Sequence, residues 1–186
     1  MSKAVMLSIR PKWVEKIANG EKTIEVRKTK PKLNTPFKCY IYCTLQGCNE
    51  FFRADLGRDV AKWNRGKWAD RKGKVIGEFT CDRIYELAPL NHAPDDVEKQ
   101  ACLTREEIVN YLKGTGYGWH IVDLKIYDAP KKLGEFWRDC LEYSELSTNC
   151  WACENVCGDD DETDCNTDGR LYLHRPPQSW CYVEEV

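Results

Sequence analysis

Apolar and polar positions alternate along the chain in short blocks whose periods predict the elements. "AVMLSIR", residues 4–10, reads as a first strand. In "PKWVEKIANG", residues 11–20, Trp13, Val14, Ile17 and Ala18 fall on one helical stripe. Pro11 suits the first helical position and Gly20 a C-cap, so a helix of two to three turns is expected there. The period then changes to two, and a strand over Lys22–Lys28 places Thr23, Glu25 and Arg27 on one face and Lys22, Ile24, Val26 and Lys28 on the other. "FKCYIYCTL", residues 37–45, has the aromatic and β-branched content of a buried strand. "KVIGEFTCDRIYEL", residues 74–87, predicts another strand, with Gly77 marking a bulge or bend of the kind that closes small barrels. Thr104 and Glu107 form a capping box opening the helix "REEIVNYLKG", which Gly114 can close. "GYGWHIVDLKIY", residues 116–127, and the terminal "QSWCYVEEV" return to strand character. The pattern predicts an α+β fold of five or six strands, a small mixed β-barrel flanked by short helices.

Length and composition place this pattern in one globular domain. The chain has 186 residues, 42% hydrophobic and 31% charged, enough for a real core. No run approaches the about 18 to 20 apolar residues of a membrane span, and "MSKAVMLSIRPKW" lacks the apolar core of a secretory signal. No membrane association and a cytoplasmic location are the expectations. Two stretches break the pattern and are expected to be insertions: residues 46–73, basic and aromatic, and residues 140–170, acidic and Cys-rich, after which 171–186 rejoin the barrel.

The net charge of −2 conceals an asymmetry. Residues 1–32 carry nine Lys/Arg against three Glu, whereas residues 141–186 carry two Arg against eleven Asp/Glu. A basic beginning suits a phosphate-bearing partner. The 46–73 stretch interleaves Phe51, Phe52, Trp63 and Trp68 with Arg53, Arg58, Lys62, Arg65, Lys67, Arg71 and Lys72. Cations for the backbone and rings for the bases suit single-stranded nucleic acid. An amphipathic helix burying Phe52, Val60 and Trp63 would have the same composition.

Eleven cysteines are many for a cytosolic protein of this size. Cys39, Cys43, Cys81 and Cys102 lie among apolar residues and are expected in the core. Cys150 and Cys153 form a C-x2-C knuckle, which with Cys157 and Cys165, or with Cys140 as an alternative ligand, could bind one structural Zn2+ tetrahedrally. Disulfides are the competing state, and an iron–sulfur cluster a further one.

"GEKTIEVRKTKP", residues 20–31, concentrates the remaining candidate chemistry. A Lys beside a carboxylate in a desolvated cleft can act in acid–base work, and Glu25 could orient a water for attack on an amide. Arg27 offers a planar fork to phosphate or carboxylate. The alternative is an exposed Glu25–Arg27 ion pair of little energetic value. Arg10, Lys12, Tyr117, Trp119 and His120 complete the ligand-binding set: two cations, two rings that can stack on bases, and an imidazole. Trp119 and Trp180 could equally be core residues, and His120 a satisfied interior group.

The run "LSIRPKWVEKIANGEKTIEVRKTKP" resembles the opening of an ASCH domain, whose Gly-x-Lys-x-x-Glu-x-Arg signature is met by Gly20, Lys22, Glu25 and Arg27. "GKVIGEF", "GYGWHIVDLKIYDAPKKLGEF" and "RPPQSWCYVEE" resemble the version of the domain carried by bacteria and their phages. The resemblance implies a PUA-like barrel whose cleft, lined by Lys22, Glu25, Arg27 and His120, binds RNA or a modified nucleoside. One bacterial branch removes the acetyl group of acetylcytidine using a Lys, a Thr three residues later and a distant Glu. Lys22 matches that Lys, Glu25 stands where the branch has its Thr, and Thr23 is displaced by two positions. Glu98, Glu106 and Glu107 are candidates for the distant Glu. The competing functions are therefore this amidohydrolase and a zinc-stabilised protein-interaction module, with a protein partner as yet unidentified.

Overall fold

The computed structural model describes residues 2–45, 71–87, 93–139 and 170–186. The 46–70 part of the first predicted insertion, and Cys140, Cys150, Cys153, Cys157 and Cys165, lie outside the described residues.

A five-stranded mixed sheet forms the centre. Strand β1 (Lys3–Ile9) pairs in parallel with β3 (Phe37–Cys43) and antiparallel with β10 (Trp180–Glu184). Beyond β3 lie β4 (Lys74–Cys81) and β7 (Val122–Lys131), both antiparallel, giving the order β10-β1-β3-β4-β7. A second sheet has the order β2-β6-β5, from Ile24–Arg27, Tyr117–His120 and Ile84–Glu86. A two-stranded ribbon joins β8 (Trp137–Asp139) to β9 (Arg170–Tyr172). The helices are α1 (Pro11–Ala18), α2 (Val97–Ala101) and α3 (Arg105–Leu112), with a 3-10 turn at Leu133–Glu135.

Side-chain alternation on β1 makes the central sheet two-sided. Val5, Leu7 and Ile9 join Cys39, Ile41, Val14, Ile17 and Trp119 in one apolar cluster, while Ala4 and Met6 join Tyr40, Tyr42, Leu133 and Phe136 in another. A third cluster, with Ile24, Val26, Leu87, Val97, Ile108 and Leu112, lies between the small sheet and helices α2 and α3. Each sheet face thus has its own cover, which explains why β1 and β3 read as near-continuous apolar runs.

Two of the expected strands are each divided. Residues 74–87 form β4 and β5, and residues 116–127 form β6 and β7, with the members of each pair in different sheets. The break points coincide because the divided chains are neighbours in both sheets: Thr80 pairs with Val122 in the large one and Ile84 with Trp119 in the small one. A left-handed Asp123, at φ 51°, follows the second break. The barrel expectation is corrected here. Among the described residues no closed barrel forms, because β10 and β7 end the central sheet without pairing to each other. Gly77 does mark an irregularity. The register shifts between Val75 and Gly77, and a Cβ on Gly77 would lie 2.5 Å from the Lys125 carbonyl oxygen. Backbones approach there to a distance that only glycine permits.

Candidate functional site

The motif after α1 folds into a buried charged cluster. Lys22 sits just ahead of β2, where strand alternation does not yet apply, so its side chain turns toward Glu25 instead of the opposite face expected for it. The Lys22 ammonium donates to the carbonyls of Ile24 at 2.8 Å and Ala101 at 2.7 Å, and lies 3.4 Å from Glu25 Oε2. The other Glu25 oxygen meets Arg27 Nη2 at 3.0 Å. Arg27 Nη2 also donates to Ser8 O at 2.8 Å, and its Nη1 to the carbonyl and hydroxyl of Ser179, both at 3.2 Å. Exposure is 2% for Lys22 and 6% for Glu25 and for Arg27. The exposed ion pair considered from sequence is therefore excluded. Two cations and one carboxylate share a desolvated site, with carbonyl dipoles compensating the excess positive charge.

The cluster ties separate parts of the chain together. Lys22 links β2 to the end of α2, and Arg27 links β2 to β1 and to the start of β10. Ser8 reinforces the last connection, donating from its backbone N–H to Ser179 O at 3.0 Å and from its hydroxyl to Pro177 O at 2.6 Å. Trp13, on α1, covers the ammonium, with Lys22 Nζ 5.2 Å from the ring centroid. Ser8, Ala101 and Ser179 take part largely through backbone carbonyls, which no side-chain pattern announces.

The remaining expected site residues separate. Trp119, opposite Glu25 in the β2–β6 register, is 0% exposed and packs against Phe37 and Trp180, at centroid separations of 5.8 and 6.0 Å. It offers no face to a ligand in this conformation, so its expected stacking role is corrected to a core role. Its indole Nε1 and Arg27 Nε are buried without a hydrogen-bond partner among the described residues. His120 pairs with Ile24, one step out of phase with Trp119, so the pleat sends its ring to the other face of the small sheet. There His120 Nδ1 is 2.7 Å from Asp82 Oδ1 and the ring meets Tyr85 edge-on. His120 therefore does not line the charged cluster as expected.

Thr23 is held by α2, its N–H donating to Gln100 O at 2.9 Å and its hydroxyl to Gln100 Oε1 at 3.3 Å. Arg10 and Lys12 are exposed at the start of α1, Lys12 over the Trp13 ring at 4.3 Å. Tyr117 is half-buried beneath Lys30, at 4.8 Å. Glu98 and Glu107 both cap backbone N–H groups, those of Arg105 and Thr104 respectively, and Glu106 is exposed on α3. The capping holds the Glu107 carboxyl below its ordinary range.

The described cysteines follow their burial. Cys39, Cys43 and Cys81 are all buried. Burial pushes Cys39 well up and Cys81 up to about 12, which makes both poor nucleophiles. Cys102 departs from the core expectation: it is half-buried in a left-handed C-cap, with its thiol donating to Glu21 O at 3.4 Å. Among the described residues no group of three or more His, Cys, Asp or Glu is arranged to hold a metal. No helix among them is long and apolar enough to cross a membrane.

A mixed sheet joined to a small second sheet, with a buried Lys–Glu–Arg cluster at their junction, defines a small α+β domain. The ASCH domain model matches residues 7–158, and the chain belongs to that family. Among solved structures, ASCH from Zymomonas mobilis is similar at 15% identity with a TM-score of 0.55, over 98% of this chain and 88% of that one. A mutant form of the same protein matches at 14% identity and 0.55, over 98% and 89%. At these identities the likeness is one of fold. Comparison with curated proteins finds no match.

Proposed function

We propose that this ASCH domain binds RNA or a modified nucleoside at the surface around the Gly20–Arg27 motif. The observation that carries the reading is the buried Lys22–Glu25–Arg27 cluster covered by Trp13, with Lys12 over that ring and Tyr117 opposite Arg27 in the strand register. Exposed cations such as Lys12 favour an anionic or acceptor-rich ligand there, and partly exposed rings offer stacking. Calorimetric titration with a single-stranded RNA oligonucleotide, and separately with acetylcytidine, tests it. Heat of binding from at least one is expected, and binding of neither overturns the reading.

A second reading, hydrolysis of acetylcytidine, rests on the 3.4 Å approach of Lys22 Nζ to Glu25 Oε2. Chromatography of acetylcytidine incubated with the protein should then show cytidine, and none with Lys22→Ala whose fold is verified by circular dichroism. If the wild-type protein releases no cytidine, the hydrolase reading is lost.

The zinc proposal stands on the spacing of Cys150, Cys153, Cys157 and Cys165, with Cys140 as the alternative, in a stretch whose flanks meet at the β8–β9 ribbon, Asp139 opposite Arg170. Protein purified under reducing conditions should carry about one zinc per chain by elemental mass spectrometry. Metal-free protein from the same preparation would overturn it, and with it the zinc-stabilised interaction module.

A further inference from the structure

Beyond Arg27 the chain runs through "KTKPKL", residues 28–33, whose odd and even positions do different things. The odd positions are anchored. Thr29 Oγ1 accepts from Trp180 Nε1 at 2.9 Å, Pro31 is buried, and Leu33 packs on the core cluster that contains Leu7 and Trp119. The backbone N–H of Lys32 donates to Tyr182 Oη at 2.7 Å, and Trp180 and Tyr182 brace each other edge-to-face at 5.4 Å. The even positions, Lys28, Lys30 and Lys32, are all exposed.

Two of these lysines rest on rings. Lys28 Nζ lies 5.4 Å from the Tyr111 centroid and Lys30 Nζ 4.8 Å from that of Tyr117. Lys30 also meets Glu86 at 3.3 Å, whereas Lys28 and Lys32 have no carboxylate partner among the described residues. Tyr111, 45% exposed, is one of the few large hydrophobic side chains among the described residues that the fold leaves open to solvent. A segment pinned at three points that presents three cations beside two tyrosine rings has the elements of a single-strand binding surface: charge for the phosphates and π faces for the bases.

The buried motif supplies the foundation. Arg27 precedes the segment directly and bonds Ser179, the residue before Trp180, so one guanidinium fixes both the start of the segment and the strand that braces it. We infer that the Lys28–Lys32 segment is the phosphate-contacting strap of a single-stranded RNA site, with Tyr111 and Tyr117 as its stacking rings, held in place by the buried Lys22–Glu25–Arg27 cluster. The inference rests on the RNA-binding reading and assigns it a surface.

The test is the salt dependence of RNA binding by fluorescence anisotropy, using a labelled single-stranded oligonucleotide. Each phosphate contact on a single strand contributes about 0.7 to the slope of log K against log salt, so Lys28→Gln/Lys30→Gln/Lys32→Gln should lower its magnitude by about 2. Tyr111→Leu should weaken binding about tenfold and leave the slope unchanged. A control with the same net charge, Lys99→Gln/Lys125→Gln/Lys132→Gln, replaces exposed lysines elsewhere and should keep the wild-type slope. Binding with an unchanged slope in the first triple variant, or an equal fall in the control, overturns the strap while RNA binding stands. No RNA binding by the wild-type protein at low salt overturns both.

Discussion

Glu25→Ala should destabilise the protein by about 3–5 kcal/mol, the usual consequence of removing one partner from a buried ion pair. The carboxylate lies between the Lys22 ammonium at 3.4 Å and the Arg27 guanidinium at 3.0 Å, and all three groups are under 10% exposed. Without it two cations face each other in a site where water cannot solvate them. Carbonyls of Ile24, Ala101, Ser8 and Ser179 stay in place but carry only partial charge. Urea denaturation gives the loss directly. Glu25→Gln keeps an acceptor but not the charge, and is expected to recover only part of it. If the Ala variant loses less than about 1 kcal/mol, as an exposed pair would, the cluster is solvated and its role as a foundation for the surface above it fails.

The second large effect belongs to Trp119. Truncation to Ala should cost about 3–5 kcal/mol, because the indole fills the junction between the two sheets and the space cannot collapse around Phe37 and Trp180. Trp119→Phe is expected to cost much less than the Ala change. It keeps most of the apolar contact and removes an indole N–H that is buried with no acceptor among the described residues. Comparable losses in the two variants, measured by urea denaturation, would show that the N–H has a partner in solution.

The two predictions concern one junction. Glu25 and Trp119 are directly opposite on β2 and β6, and Arg27 reaches from the same strand to the start of β10. The motif's charged side chains act inside the protein, and the residues that follow them meet solvent. On this reading, variants of the motif affect ligand binding through folding and placement, whereas variants of Lys28, Lys30 and Lys32 affect it at constant stability.

Much of the domain is legible locally. Helix α1 begins at Pro11 as expected, and α3 carries the full Thr104–Glu107 capping box. Strands β3 and β10 lie within the apolar blocks that predicted them, and β1 begins one residue ahead of its block. Helix periods and caps are settled within about four residues, so a single stretch of sequence contains all the information. The Gly-x-Lys-x-x-Glu-x-Arg signature likewise pointed to the family to which the chain belongs. What tertiary structure alone decided is non-local. Residues 74–87 and 116–127 divide because each run pairs in two sheets, a choice made by partners far along the chain. His120 and Trp119 are neighbours, yet the pleat sends one to Asp82 and the other into the core. Lys22 joins Glu25 because it precedes the strand, and its ammonium needs the carbonyl of Ala101, a residue 79 positions away. A carbonyl acceptor has no sequence signature, so the character of this site, a buried charge cluster, emerges only when the chain is folded.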